Sequence, residues 1–454
     1  MLFDIHPSDD LFARLHMLQA GDEVVVHAGT YTTPGLVNVT WPGTAQKPII
    51  VRAADGERVI IQGTPSQNVL DLAGSYFTLT GFEMKGGSHG VRLGATDHAT
   101  IEGLVLHDLG DVGISCNRPG QECSELTIRY NEIYATGLAG TGEGMYLGGN
   151  DATNIFRDSL IERNYIHDLG GDQGDGIEVK TGASGVIVRD NVIVRAKYPA
   201  ITMYGYAGTG KQNVVERNFV WHTVDNGIQI VGQVVVRNNI ILDAGANGIQ
   251  SKASQGQTPH DLVIAHNTVV GTTGPCLKTN DWASGTNQIV ANNALYCTGG
   301  TAIDFNGGGP VAIWAGNVGL GTSNAPRGFE LAQAVEDDIG PAPQAYVTMT
   351  SMLLNRGDPA YAVADDFNGT LRLDHMPDIG AYERTMPSNP GWPLGEGFKA
   401  ETPVVPDGYM TPGYECLDFC KDVESGSGCC DARTPGSSGL LAGLVLLAMG
   451  RRRR

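Results

Sequence analysis

The hexapeptide VRDNVI, residues 188–193, is one copy of a pattern that runs through the middle of the chain. Its relatives are IRYNEI (128–133), IERNYI (161–166), VERNFV (215–220), VRNNII (236–241), IAHNTV (264–269) and VANNAL (290–295). Each carries an asparagine at its fourth position. These are Asn131, Asn164, Asn191, Asn218, Asn239, Asn267 and Asn293, spaced by 33, 27, 27, 21, 28 and 26 residues. TGFEM around Gly81 and EGLVL around Gly103 extend the register upstream, and AGNVG around Asn317 extends it downstream. A self-similar period in the twenties implies a solenoid, in which each coil touches only its neighbours.

The repeat unit is strand-like, because Val and Ile alternate with polar residues and no helical period appears. A second short strand follows a glycine in each coil: HGVRL, VGIS, EGMYL, DGIEV, NGIQI, NGIQS. Coils of this kind, stacked in register, make a parallel β-helix. The repeated asparagine then has a structural task, since an amide stacked at a turn can hydrogen-bond from coil to coil. A row of ligand-binding asparagines is the alternative.

Open solenoid ends are unpaired sheet edges and need caps. SDDLFARLHML predicts an N-terminal helix with Ser8 as N-cap, Asp9 and Asp10 in the first turn, and Leu11, Leu15 and Leu18 on one face. The expected organisation is a cap over 1–20, a β-helix over 21–325, a closing segment over 326–384 and a linker over 385–428. The segment 429–454 is the tail. The linker reading rests on residues 384–415, which turn rich in Pro and Gly and lose periodicity.

With 454 residues, 41% of them apolar, the chain can bury a large core, and 63 glycines imply many tight turns. The net charge of −19 argues against nucleic acid as a partner. An acidic polysaccharide remains open, because a bound divalent cation inverts the local field. Eight cysteines fall into four sequence pairs: 116 and 123, 276 and 297, 416 and 420, 429 and 430. No zinc spacing accompanies them, so disulfides in an exported monomer are expected. MLFDIHPSDD holds no basic-then-apolar export segment, so an exported chain is expected to start upstream of the given methionine.

Alternation across the strand predicts which side chains face out. In DGIEVK, Ile177 and Val179 point inward and Glu178 and Lys180 outward. The same register places Tyr146, Thr202, Tyr204, Gln229, Gln250 and Lys252 on that face, with Arg92 upstream and Lys278 downstream. Glu143, Asp175, Asn226 and Asn247 form a second column at the coil entries. Coils lie about 4.8 Å apart, so Lys180 and Tyr204, one coil apart in one column, could act on a single sugar. This strip has the composition of a polysaccharide groove.

The segments QAGDEVVVHAGTY, KPIIVRAADGERVIIQG and LDLAGSYFTLTGFEMKGG, together with DGIEVKTGASGVIVRDNVI, are similar to the coils of the chondroitinase B and alginate lyase family. The likeness spans roughly residues 15–320 and belongs to the wider pectate-lyase-like class of right-handed β-helix repeat proteins. It implies an all-β fold, a right-handed parallel β-helix solenoid with a short N-terminal capping helix and an irregular C-terminal cap. It also implies a calcium-assisted lyase that cleaves uronic-acid glycans by β-elimination. Lys180 matches the family's base, while Asp175, Asp172 and Glu143 match or fall near acidic calcium ligands. Tyr204 stands where the family has an arginine, and a tyrosine can serve there as acid or base. Tyr146, Glu178, Thr202, Gln229, Gln250, Lys252 and Arg92 would bind the acidic polysaccharide.

Calcium would withdraw charge from the uronate carboxylate, and the base must be a neutral lysine. Glu178 and Asp175 beside Lys180 act against that by favouring its charged form. The bland reading is a lysine paired with one of these acids on a solvated sheet. Asp172, Asp175 and Glu143 could instead supply the carboxylate pair of a hydrolase. His89, His98, His107, His167 and His222 are scattered over separate coils and read as turn or surface residues. GTGK (208–211) lacks the full phosphate-loop pattern.

The ending CCDARTPGSSGLLAGLVLLAMGRRRR resembles myxobacterial C-terminal sorting tails. Its apolar run is shorter than the roughly 20 residues of a membrane-spanning helix, and the terminal arginines favour the cytoplasmic side. That resemblance implies a processing protease as partner and a location at the cell surface or outer membrane, or release. Two functions stay open at this point: the lyase, and a non-catalytic surface β-helix that binds glycan or serves as an adhesin stalk.

Overall fold

The computed structural model describes residues 1–205, 210–306, 312–373 and 375–400. It is a three-faced parallel β-helix. The first sheet has thirteen strands in chain order, among them Leu2–Ile5, Glu23–Val26, Thr127–Arg129, Ile187–Arg189 and Ile313–Ala315. The second runs through Glu132–Tyr134, Tyr165–His167, Val192–Val194 and Phe219–Trp221. The third runs through Val91–Asp97, Ile114–Cys116, Met145–Leu147, Ile177–Val179, Ile201–Met203 and Ile228–Ile230. The long strand Ala294–Phe305 turns a corner and pairs in both the second and third sheets.

The core is built from stacked identities. Ile101, Ile128, Ile161, Val188, Val215 and Val236 lie in register along the first sheet, each fully buried. Every coil adds one aliphatic side chain to each such row, so strands of only three residues suffice.

The repeated asparagines form a continuous ladder inside the turn between the first two sheets. Asn131, Asn164, Asn191, Asn218, Asn239, Asn267 and Asn293 each donate Nδ2 to the Oδ1 of the next, ending on Asn317, at 2.9–3.0 Å. Each acceptor Oδ1 also takes the backbone N–H of the preceding asparagine, and the second amide proton goes to a buried carbonyl, as from Asn218 to Val188 at 2.9 Å. The residue before each rung, from Tyr130 through Arg163, Asp190, Arg217, Asn238, His266 and Asn292, sits at φ 53–57°. Left-handed backbone costs an L-residue roughly 1–2 kcal/mol, and the saturated amides offset it. The asparagine row is structural, with no ligand-facing surface.

Two expectations about the ends need correction. The segment before the helix already belongs to the solenoid, because Leu2–Ile5 pairs with Glu23–Val26. The capping helix Leu11–Leu15 is capped by Asp10, whose carboxylate accepts from Ala13 N at 2.9 Å, and not by Ser8. Leu11, Leu15 and Leu18 close the core as expected, and Phe12 joins them.

At the other end, residues 335–399 do not simply close the last coil. They run back along the flank of the second sheet, whose outer face turns apolar from Val192 onward. Val192, Val194, Phe219, Ile240 and Leu242 share a buried cluster with Ile339, Leu353, Phe367, Tyr382 and Trp392. Such an apolar face would otherwise be exposed to water. The first part of the expected linker therefore belongs to the fold. Glu396 Oε2 accepts from Arg195 at 2.9 Å, and the buried Lys399 donates to Asp190 and the Phe367 carbonyl, both at 2.8 Å. Disulfides join Cys116 to Cys123 and Cys276 to Cys297. The other two cysteine pairs and the tail lie outside the described residues.

The ladder predicts a steep cost for one missing rung. Asn218→Ala leaves the N–H groups of Asn191 without their acceptor and the Val188 carbonyl without its donor. The expected loss is about 2–4 kcal/mol, read as a lower midpoint in denaturant unfolding.

Candidate active site

The third sheet presents one outward residue per coil in strict register. The column reads Asp71, Arg92, Ser115, Tyr146, Glu178, Thr202, Gln229, Gln250, Lys278. Two residues later in each coil lies a second column, with Gly148, Lys180 and Tyr204 in sequence, as the bonds from Lys180 N to Leu147 O and from Tyr204 N to Val179 O show. The entry column holds Glu143, Asp175, Pro199, Asn226 and Asn247. The sequence register therefore holds for every residue assigned to it.

Exposure does not follow the register. Glu178 and Lys180 point outward from the sheet, yet they are only 4% and 3% exposed. Loops of neighbouring coils roof them. Gln255 bridges the roof, accepting from Thr181 Oγ1 at 2.8 Å and donating to Asn150 Oδ1 at 2.9 Å, and Asn150 also accepts from the Tyr146 hydroxyl at 3.3 Å. Gly148, at φ 99°, makes room below, because a Cβ there would lie 3.1 Å from Lys180 Cβ. The solvated sheet expected around Lys180 is thus a closed chamber.

Within it, Lys180 Nζ is ion-paired to Glu178 Oε1. The amine sits over the Tyr146 ring at 4.3 Å and the Tyr204 ring at 5.2 Å, both within cation–π range. Among the described residues, Glu178 Oε2 is buried without a hydrogen-bond partner. Asp175 accepts from Thr202 Oγ1 at 2.6 Å. Glu143 Oε2 lies 2.5 Å from Thr141 Oγ1, and its other oxygen has no partner among the described residues.

Desolvation dominates the electrostatics. It raises the Glu178 carboxyl, opposed by Lys180, and raises Asp175 with help from the Glu178 charge. Glu143 is pushed up to about 7, first by burial and then by Glu178 and Asp111, against the Thr141 bond. Burial and the Glu178 charge also hold the hydroxyls of Tyr146 and Tyr204 above the ordinary tyrosine range, so both are proton donors at neutral pH. Several buried carboxylates disfavouring their charge around one amine is a pattern shared by functional sites and by structural ion-pair networks.

The structure brings together Tyr146, Glu178, Lys180, Thr202 and Tyr204, with Asp175 and Glu143 at the coil entries. Gln229 and Gln250 follow two and three strands on, both bonded by Asn226 Nδ2 at 3.4 and 3.1 Å. Arg92 stands three strands before Glu178, bonded to Asn117 at 3.0 Å, and Lys252 lies two coils beyond Tyr204, half-buried. Asp172 is exposed on the entry loop, whereas Glu143 and Asp175 are buried. Among the described residues no three His, Cys, Asp or Glu side chains are grouped so as to hold a metal ion. The expected calcium trio is not assembled in this conformation. Residues 206–209, which include part of GTGK, lie outside the described residues.

One group escaped the sequence reading. His89, scattered by spacing, meets Ser115 and Asp111 beside the chamber, and Asp111 connects through Thr141 to Glu143. Only the coil register, applied to the turn residues as well as the strands, could have flagged it.

The comparisons agree with this architecture. The family described as "Right handed beta helix region" matches residues 52–193 and 157–306, so the chain belongs to the right-handed β-helix family. Among solved structures it is similar to XylC in complex with xylose, at 10% identity over 88% of this chain and 99% of that one, with a TM-score of 0.57. The A-module of Azotobacter vinelandii mannuronan C-5 epimerase AlgE6 matches at 14% identity over 69% of this chain and 92% of its own, with a TM-score of 0.52. An alginate lyase from Paenibacillus sp. str. FPU-7 matches at 22% identity over 60% and 94%, with a TM-score of 0.48. Identities this low establish the fold alone. No curated protein matches the chain.

The Glu143 shift has a definite sign. Its folded pKa of about 7 lies above its ordinary 4.5, so the unfolded chain gives up this proton first as pH rises. Glu143 therefore lowers stability progressively between about pH 4.5 and 7, by at most ~3 kcal/mol. In chelator, Glu143→Gln is expected to remove that part of the pH dependence, with wild type and variant compared by denaturant unfolding at pH 5 and pH 8.

Proposed function

We propose that the protein is an exported carbohydrate-active enzyme that cleaves uronic-acid polysaccharides by β-elimination. The observation that carries this reading is the Lys180–Glu178 pair held between two tyrosine rings under a roof of loops. The disulfides suit an oxidising compartment, and the mannuronan epimerase among the structural relatives acts, by its name, at C-5 of a uronate. For this chemistry Lys180 must act as a neutral amine with its proton carried by Glu178, whose carboxyl burial raises against the opposing Lys180 charge. Lys180 would take the proton α to the substrate carboxylate. Tyr204, a neutral phenol in the neighbouring position, would protonate the leaving oxygen, and Tyr146, Thr202, Gln229 and Gln250 would hold the chain. Glu143, Asp175 and Asp172 would be the groups to neutralise the uronate through calcium if the roof rearranged to gather them. Calcium would supply charge withdrawal from that carboxylate.

A second reading has its own support. The enclosure of Lys180 and its direct ion pair also suit a rigid, non-catalytic glycan-binding β-helix. The unsaturated product of elimination absorbs at about 235 nm, which separates the two on pectate, alginate and chondroitin. The lyase predicts a rise in absorbance that falls about 10²–10⁴-fold in Lys180→Ala and at least tenfold in Tyr204→Phe, with chelator reporting any need for calcium. Binding of a polymer with no absorbance change on any of them selects the second reading.

A further inference from the structure

Beside the chamber, on the same face, a hydroxyl, an imidazole and a carboxylate stand in line. Ser115 Oγ is 2.9 Å from His89 Nδ1, and His89 Nε2 is 3.4 Å from Asp111 Oδ2. We propose that Ser115, His89 and Asp111 form a nucleophile, base and orienting acid that hydrolyse acyl esters, an activity separate from the Lys180 chemistry.

The surrounding bonds set the protons correctly. Thr141 donates its backbone N–H to Asp111 Oδ1 at 2.8 Å, and its hydroxyl lies 2.9 Å from the same oxygen and 2.5 Å from Glu143 Oε2, so its single proton serves one of the two. That leaves Oδ2 to face the ring. The hydrogen bond from His89, ahead of those from Thr141, holds the Asp111 carboxyl well below the usual carboxylate range, so it is ionised. A carboxylate can only accept, so the ring proton is assigned to Nε2, and Nδ1 is assigned to receive the proton of the Ser115 hydroxyl. This is the tautomer a general base needs, with the two ring nitrogens exchanged relative to the usual serine hydrolase. The backbone is pinned as well: His89 N donates to Asn68 Oδ1 at 3.3 Å and Asp111 N to Ser88 O at 2.9 Å. The arrangement is recognised by geometry and roles rather than by chain order.

The reaction balances without a cofactor. Ser115 Oγ attacks the ester carbonyl as its proton passes to His89 Nδ1. The tetrahedral adduct collapses, and the leaving alkoxide takes that proton and departs as an alcohol. Water, deprotonated by the same nitrogen, cleaves the acyl-serine, releasing a carboxylic acid and restoring the hydroxyl. Arg92 is the register partner of Ser115 in the preceding strand, and its guanidinium, now bonded to Asn117 at 3.0 Å, is assigned to the forming oxyanion. Ser115 occupies the outward column one strand from Tyr146 and two from Glu178, so the substrate class is a short acyl ester on a sugar hydroxyl. That choice of substrate rests on the glycan reading above, whereas the nucleophile does not.

Ser115 is fully enclosed in this conformation. The contacts flanking it are the Arg92–Asn117 hydrogen bond and the Arg118–Asp71 ion pair at 2.9 Å, and an ester must open them to enter. The test uses the full chain, as wild type and Asn117→Ala, with a fluorophosphonate probe located by peptide mass spectrometry and with p-nitrophenyl acetate turnover. The expected result is a single label on Ser115 and turnover lost in Ser115→Ala. His89→Ala is expected to slow both at least a hundredfold, with the thermal midpoint checking that each variant folds. Asp111 acts only through His89, so Asp111→Glu should recover part of the rate that Asp111→Asn loses. No label on Ser115 in either wild type or Asn117→Ala, or labelling indifferent to His89→Ala, overturns the proposal. Elimination activity at Lys180 is scored separately at 235 nm, so either reading can fail alone.

Discussion

The structure depends on the requirement that every buried amide at the turn find a partner in the next coil. The asparagine ladder meets it. Because each Asn Oδ1 receives two N–H groups from the coil before, a coil cannot slip by a residue without stranding polar groups in the core. That constraint permits strands of three residues and a left-handed residue ahead of each rung. It also holds the outward columns in register, which is why side chains distant in sequence, such as Tyr146, Glu178 and Thr202, stand in one row.

The ladder sets where coils meet but not how long they are. The coil between Asn131 and Asn164 spans 33 residues and that between Asn218 and Asn239 only 21. The surplus goes into loops on the third face. Asn150 belongs to the longest coil and Gln255 to a later one, and together they roof Lys180. Chemistry in this fold is thus written in turn length, with the stacked strands as a constant frame. Enclosure has an electrostatic consequence, since the same loops that exclude water raise Glu143, Asp175 and Glu178 together.

Much of this was legible beforehand. The repeat named the fold, and alternation named most members of the outward and entry columns, though not Asp71, Ser115 or Pro199, because both follow from a period that survives in the letters. The roof was not legible. Nothing in GGNDATNI or KASQGQ says that it folds over another coil, so Glu178 and Lys180 read as solvated. Asp10 outcompeted Ser8 as helix cap for a local reason of one residue's placement. His89 and Asp111 were invisible because they sit at turn offsets in adjacent coils, and Ser115, although in the outward column, had no sequence partner to mark it. Residues 385–400 read as linker because they pack by docking onto an existing surface, and docking leaves no period.

That docked segment changes how the molecule comes apart. A bare solenoid is a chain of nearest-neighbour contacts and can fray from its end, one coil at a time. Here Asp338 meets Tyr296, Asp365 meets Asn238 and Arg217, and Lys399 meets Asp190. The returning segment is fastened to successively earlier coils as it travels back. Loosening the last coil therefore strains attachments several coils away, and the C-terminal half behaves as a single mechanical unit, more like a buckled belt than a stack of rings.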